Sequence, residues 1–524
     1  MPDQDRESPQ GETDGDQIRL PISPTSRRKN ESDQGQDDED VEAQAHADYC
    51  PHPMLNLTGL ALTPGSQRSW WLREALAQEQ GRPCPPLAAD VKADVVVVGG
   101  GFSGLWTAYF LTERDPALGV VVLEQDICGG GPSGRNGGFA SGWWDELHGL
   151  VTLYGPEAAL SACRAISSSI AAIGDFCDAH SIDAWFKRKG YVYAITAAAH
   201  EQICEDMVEL AREVGASEEL RELSAAEVKA RCTSPAFRGG AYMRDGASVQ
   251  PARLVRGLRR VLLERGVVIH ENTPVTRVDG TTAFTAGGSV KAAHAVLAVN
   301  AWGIRWPQLS RRLVAWSSYI VMTAPAPEQL EEIGWTGGEL ISDFRTSLRY
   351  FRTTPDGRIA FGGGGGRARR TVDAMFTSDT RAVDETAAGF RLMFPSFAEV
   401  PIEDAWGGPI DVSPTHLPTF GRLETGNVYY AAGYTGNGVA PTYLAGQVLA
   451  DLITGADTDT VRLPMVNATP RSFPPEPFRS WGAAVVRRAM IAKETAEENG
   501  RTPGFLVSQL ARTPRRMGYL LGPD

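Results

Sequence analysis

Several kinds of feature are scarce in this sequence, and each absence narrows what the protein does. The seven cysteines are scattered between Cys50 and Cys232 with no CxxC pair. An odd, dispersed set makes no disulfide framework and reads as reduced core thiols. The eight histidines show no metal-ligand spacing, so no metal is expected. No apolar run reaches the roughly 18 residues of a spanning helix. The N-terminus lacks a basic-then-apolar leader. Arg27-Arg28-Lys29 starts like a twin-arginine signal, but acidic residues follow where an apolar segment belongs. A cytoplasmic protein is the expectation. Basic surface is lacking too: the net charge is −13, which argues against a nucleic-acid partner.

What is present points to an α/β enzyme. A chain of 524 residues is longer than one core usually serves, so two or more domains are expected. The 56 glycines imply many tight turns. Much of the acidity sits in the first ~50 residues, and residues 1–88 are rich in Asp, Glu, Gln, Ser and Pro. Such a segment buries too little apolar surface to offset its ordering entropy. It is expected to be mostly disordered, certainly as far as about Asp48, with a looser arm around Trp70 and Trp71 packing on the body.

The body begins at Lys92. Ala93 to Val98 reads as a buried parallel strand, Phe102 to about Thr112 as a helix and Gly119 to Glu124 as a second strand. Between strand and helix lies Gly99-Gly100-Gly101-Phe102-Ser103-Gly104. Gly99, Gly101 and Gly104 fit GxGxxG, whose glycines permit the turn, the approach of a pyrophosphate and close helix packing. The helix N-terminus then offers N–H groups and a positive dipole end. Glu124 ends the next strand about 20 residues on, where a ribose hydroxyl needs an acceptor, and Gln125 follows it. The motif alone does not separate FAD from NAD.

Three further stretches bear on that choice. The first runs Ile127-Cys128-Gly129-Gly130-Gly131-Pro132-Ser133-Gly134-Arg135-Asn136-Gly137-Gly138. The second is Trp406-Gly407-Gly408 through Leu417-Pro418 and Gly421. The third is Tyr429-Tyr430-Ala431-Ala432-Gly433-Tyr434-Thr435-Gly436-Asn437-Gly438-Val439, ahead of an Ala/Gly-rich helix. In this order they resemble the flavin-contacting segments of the D-amino-acid oxidase and sarcosine oxidase superfamily, and Ser-Gly-Arg-Asn-Gly-Gly especially resembles γ-glutamylputrescine oxidase-like enzymes. Val275, in Thr273-Pro274-Val275, and Val299-Asn300-Ala301-Trp302 match the family's adenine-side strands more loosely.

The resemblance spans about Lys92 to Gly455. It implies an α/β fold with a Rossmann-type FAD-binding domain split in sequence, at 90–180, 245–310 and 404–460. A substrate domain with a mainly antiparallel sheet would take 181–244 and 311–403. Residues 461–524 fall outside it as a partly helical extension, helical near Ala483 to Glu498. It also implies the chemistry: a hydride from a C–H beside nitrogen passes to flavin N5, and the imine hydrolyses. The substrate is then a small amine or N-substituted amino acid, and oxygen or an electron carrier is the acceptor. Two alternatives stand beside this reading. One is a flavin enzyme for hydroxy acids or other non-amine donors; the other is a flavin-bound subunit without turnover.

Leu348 to Gly362 resembles the hairpin that covers the flavin in the family. Tyr350 and Arg352 share one strand face; facing the flavin, Tyr350 would steer substrate and Arg352 would hold an anionic group. Glycine and D-amino-acid oxidases carry a carboxylate-clamping arginine on this hairpin, and Thr354 stands at that place, which turns attention to a larger amine. His416 is a candidate base or donor near the flavin edge. Trp143 and Trp144 either line the substrate cavity or pack in the core. The family's covalent attachments use a hairpin cysteine or a histidine near the second glycine loop. There is no cysteine after Cys232 and no histidine from Glu124 to Gly142, so FAD is expected to be non-covalent.

Overall fold

Val95 to Val98 are all but excluded from solvent, which is what a strand with both faces covered requires. They lie in Val91–Val98, at the centre of an eight-stranded sheet in the computed structural model, which describes residues 68–520 except 80, 82, 364, 365, 373, 374, 425 and 470. Val91–Val98 runs parallel to Val120–Leu123 on one side and to Gly288–Leu297 on the other. Val268–His270 extends the sheet beyond Val120–Leu123, and Val428–Ala432 joins in parallel on Gly288–Leu297. The sheet is thus assembled from segments more than 300 residues apart.

Phe102–Arg114 and Val439–Thr454 cover one face. They pack closely because Gly446 meets the backbone and side chain of Trp106, leaving no room for a Cβ. Pro251–Glu264 and Pro156–Ala179 complete the α layer.

A second sheet has nine strands, drawn from 191–243 and 314–412. All but one of its pairings are antiparallel; Leu340–Asp343 lies parallel to Tyr191–Ala194. Its inner face forms a separate core around Phe351, Phe361, Phe390 and Phe394. These are the split Rossmann-type sheet and the antiparallel sheet expected from the sequence.

Several details differ from expectation. Ile402–Val412 pairs along its length with Val314–Thr323, so the first residues of the expected 404–460 segment belong to the second sheet. Thr380–Met393 and Leu147–Tyr154 are helices that the sequence reading passed over. The C-terminal helix starts earlier, at Phe478, and a second short one follows at Phe505–Ala511.

Within residues 1–88, the expected arm around Trp70 and Trp71 does pack on the body. The expectation of disorder up to Asp48 falls outside the described residues. Trp70–Gln78, however, is a helix capped by Ser69, with Trp71 and Leu72 fully buried. Its polar side chains are committed to partners. Glu74 pairs with Arg253 and receives a 2.7 Å bond from Gln250, whose Nε2 also donates to the Trp71 carbonyl. Glu79 receives Arg256 at 2.6 Å. Arg256 and Arg259 also hold Glu271, whose carboxylate accepts the amides of Cys84 and Cys128 as well. Burial opposes ionisation of Glu271, but Arg259 and these amides prevail and hold its pKa below the usual value.

Candidate active site

The first glycine turn joins Val91–Val98 to Phe102–Arg114. Gly99 has φ +112°, and a Cβ there would strike the Ala298 carbonyl; one at Gly104 would strike the Gly99 carbonyl. The helix opens at Gly101 without a side-chain cap. Glu124 is buried at the end of Val120–Leu123. Its Oε2 accepts the Gly100 amide at 2.7 Å and its Oε1 the Asp126 amide at 2.9 Å. Burial pushes its pKa up to about 7. Gln125, next to it, is exposed.

The second glycine loop is tied to the first. Ser133 Oγ accepts the Phe102 amide at 2.8 Å. The Arg135 and Asn136 side chains hold the loop itself. Arg135 Nε donates to the Gly130 carbonyl at 2.9 Å and Nη1 to the Gly407 carbonyl at 3.2 Å. Asn136 Nδ2 donates to the Pro132 and Ser133 carbonyls, while its Oδ1 accepts the Gly138 amide at 2.8 Å. Gly408 sits against the Arg135 side chain.

The third loop closes on the other two. The Tyr434 and Ser103 hydroxyls are 2.7 Å apart, and Ser141 donates to Asn437 at 2.9 Å. Behind it stands Asp411, fully buried, which the sequence reading missed. Its carboxylate accepts the Gly433 amide at 2.6 Å, the Tyr434 amide at 3.2 Å and Asn300 Nδ2 at 2.8 Å. Burial raises its pKa to about 7. Its partners lie 22 and 111 residues away along the chain, so no local pattern announces it. Thr435 Oγ1 accepts the Ser413 amide, and Val439–Thr454 starts at Gly438 after Gly436. Trp302 lies in the turn Asn300–Arg305 beside Gly131, and Val275 is half-buried on Val275–Asp279.

Tyr350 is packed against Gly137 of the second loop and against Gly362 of its own hairpin. Its hydroxyl is 3.0 Å from Ser318 Oγ, and burial lifts the phenol to about 12. A chain of rings leads away from it, through Phe139 and Tyr191 to Tyr193. Arg352 does share the Tyr350 face, but it is not open to hold an anion. Only 1% exposed, its Nη1 donates to the Val249 carbonyl at 2.6 Å and the Gly138 carbonyl at 3.2 Å, and it lies 5.0 Å from the Trp71 ring. Burial lowers its pKa to about 9. Thr354 Oγ1 donates to Asp356 at 2.5 Å and accepts the Arg358 amide, closing the hairpin turn.

His416 adopts φ +63°, and its Nδ1 is 2.9 Å from Glu146 Oε1. Burial opposes its protonation, but the Glu146 carboxylate outweighs that and raises its pKa. Beside it, Asp145 accepts the Tyr193 hydroxyl at 2.5 Å, and burial lifts its pKa to about 7. Trp143 and Trp144 are buried in the main core, so the packing reading holds for both. Among the described residues no cluster suits a metal ion.

The residues fit FAD. A cradle without room for a Cβ at Gly99 or Gly104, an uncapped helix start and a buried carboxylate at the adjoining strand end are the features that a diphosphate and a ribose would require. The second and third loops converge beside it.

Comparison with known proteins agrees. The model of the family described as "DAO: FAD dependent oxidoreductase" matches residues 94–452. The γ-glutamylputrescine oxidoreductase of Escherichia coli K12 is 28% identical over 379 residues, covering 71% of this chain and 86% of its own length. A probable oxidoreductase, OrdL, of Haemophilus influenzae is 29% identical over 386 residues, covering 71% and 85%. Among solved structures, glycine oxidase from Geobacillus kaustophilus superposes with a TM-score of 0.60 at 21% identity, over 72% of this chain and all of its own; that likeness speaks for the fold.

Proposed function

The chain belongs to the DAO family of FAD-dependent oxidoreductases, and from that premise we propose that it oxidises a carbon–nitrogen bond of an amine or N-substituted amino acid. FAD, when bound, would supply a two-electron acceptor for the hydride of the carbon beside nitrogen, and the resulting imine would hydrolyse. The chain's own residues bind and orient. Glu124 would hold the ribose, the amides after Gly99 the diphosphate, and the positive dipole end at Gly438 of Val439–Thr454 would favour the reduced flavin. Tyr350, on the hairpin and packed against Gly137 of the second loop, forms the wall along which substrate is steered. Residues 90–180, 245–310 and 413–460 serve the cofactor, and 181–244 and 311–412 the substrate.

The observation that carries the reading is the interlocking of three glycine loops, Ser133 to Phe102 and Tyr434 to Ser103, with Arg135 tying the second loop to Gly407 on the strand Ile402–Val412. The half-buried hairpin tyrosine sits against the middle loop. Thr354 is spent on its own turn and Arg352 is pinned beneath Gly138. Neither is disposed to clamp the carboxylate of a simple amino acid, which favours a larger amine. The E. coli relative named for γ-glutamylputrescine supports a substrate of that size. FAD is held non-covalently, and the enzyme works in the cytoplasm with oxygen or an electron carrier as acceptor.

The test is anaerobic mixing of the holoprotein with polyamines, N-methyl amino acids and hydroxy acids. Bleaching of the flavin by amines is expected. Bleaching by hydroxy acids alone, or by no donor, overturns the reading. Peroxide formation in air identifies oxygen as the acceptor, and acid precipitation should leave the yellow colour in the supernatant.

A further inference from the structure

The large apolar side chains exposed on this protein are unevenly placed. Phe478, Trp481, Val485, Phe505, Leu506, Leu510 and Met517 are all exposed, and all belong to the C-terminal extension. Phe478, Trp481 and Val485 follow one another at helical spacing along Phe478–Glu498. Phe505–Ala511 packs against that helix and carries Phe505, Leu506 and Leu510.

The exposed charges along the two helices are of one sign, although Glu476, exposed just ahead of Phe478, is paired with Arg479. Between residues 478 and 518 the exposed charged residues are Arg488, Arg501, Arg512 and Arg516, and no acidic residue is exposed. The helix does contain acids, but they turn inward. Glu494 and Glu498 pair with Arg345, Glu498 also with Arg349, and Glu497 with Lys493. In a chain of net charge −13, this surface is therefore apolar and cationic together.

We propose that the C-terminal helices Phe478–Glu498 and Phe505–Ala511 dock the enzyme on an anionic lipid surface. Phe, Trp and Leu enter the boundary between headgroups and acyl chains, and the arginines meet lipid phosphates, to which a guanidinium offers paired donors. A second copy of the chain fits less well, since it would bring the same arginines face to face. The acidic remainder does not prevent docking, because charges more than a Debye length of about 8 Å from the lipid are screened at physiological salt. Docking of this kind needs no spanning helix, and among the described residues no helix is long and apolar enough to cross a membrane.

The holoprotein is sedimented with vesicles of phosphatidylcholine alone and of phosphatidylcholine mixed with phosphatidylglycerol. Binding is expected to the anionic vesicles only and to fall as salt rises. Trp481→Asp or Phe505→Asp should weaken it by on the order of tenfold or more, and Arg488→Gln or Arg512→Gln by about fivefold each. All four positions are exposed, so the flavin spectrum should stay unchanged. Equal binding to both vesicle types, or binding to neither, overturns the proposal. So does a soluble dimer that Trp481→Asp dissociates and that ignores vesicles.

Discussion

Replacing Arg352 with methionine separates two roles for that residue. The guanidinium is buried without a carboxylate facing it, and desolvation lowers its pKa from 12.5 to about 9. That difference is worth about 5 kcal/mol against the charged form. On the other side stand two bonds from a charged donor to the Val249 and Gly138 carbonyls, about 1.5–3 kcal/mol each. The contact with Trp71 adds about 1 kcal/mol. The opposing sums lie within about 2 kcal/mol of each other, so Arg352→Met should leave global stability nearly unchanged in urea titration. It should nevertheless loosen Gly138 and the second loop. Flavin fluorescence released on dilution should then report FAD binding weaker by on the order of tenfold, about 1.4 kcal/mol. Turnover should fall by the same factor for anionic and neutral donors. If FAD binding is unchanged and KM rises for anionic donors alone, Arg352 clamps substrate and the reasoning is wrong.

Gly104→Ala puts a Cβ on the Gly99 carbonyl; the protein should fold, at a cost of about 1–3 kcal/mol, yet purify without yellow colour. Asp411→Ala frees the Gly433 and Tyr434 amides and Asn300. Equilibrium dialysis should show FAD binding weaker by roughly 10–100-fold, and unchanged binding would remove Asp411 from its assigned place. Glu124 has a folded pKa raised from 4.5 to about 7, so its stabilising share in the FAD-free protein is complete below pH 4.5 and lost as pH rises through 7. Glu124→Gln should therefore gain up to about 3 kcal/mol on the parent between pH 4 and pH 8, both FAD-free, in denaturant titrations. No gain would mean the carboxylate is better solvated than its burial implies.

Features set by neighbouring residues were legible in the sequence. The valine run, the glycine turn and Glu124 form one local unit, because strand period, turn chemistry and helix start are all written within about 30 residues. The hairpin carrying Tyr350 and Arg352 was equally legible, and so was their common face. What that face meets was not. Gly138 and Trp71 come to Arg352 from more than 200 residues away, and period-two alternation records only that a side is covered. Asp411 escaped for the same reason. The arm around Trp70 and Trp71 was expected to pack on the body, but not its helical form, nor the pairing of Glu74 and Glu79 with arginines on Pro251–Glu264, about 180 residues away. His416 was picked out as a titratable group, but its partner Glu146 comes from a helix start that the sequence did not reveal.

The buried acids and bases behind the cofactor cradle bear on where this protein begins as a folding unit. Similarity to the family starts at residue 94, and a shortened gene would naturally be cut there. Such a cut removes Trp71, Glu74 and Glu79. Arg253 and Arg256 would lose carboxylate partners, and a tryptophan-shaped hole would open beneath Arg352. The family match and the packed body are therefore different lengths, and the nine-residue helix at the front belongs to the second.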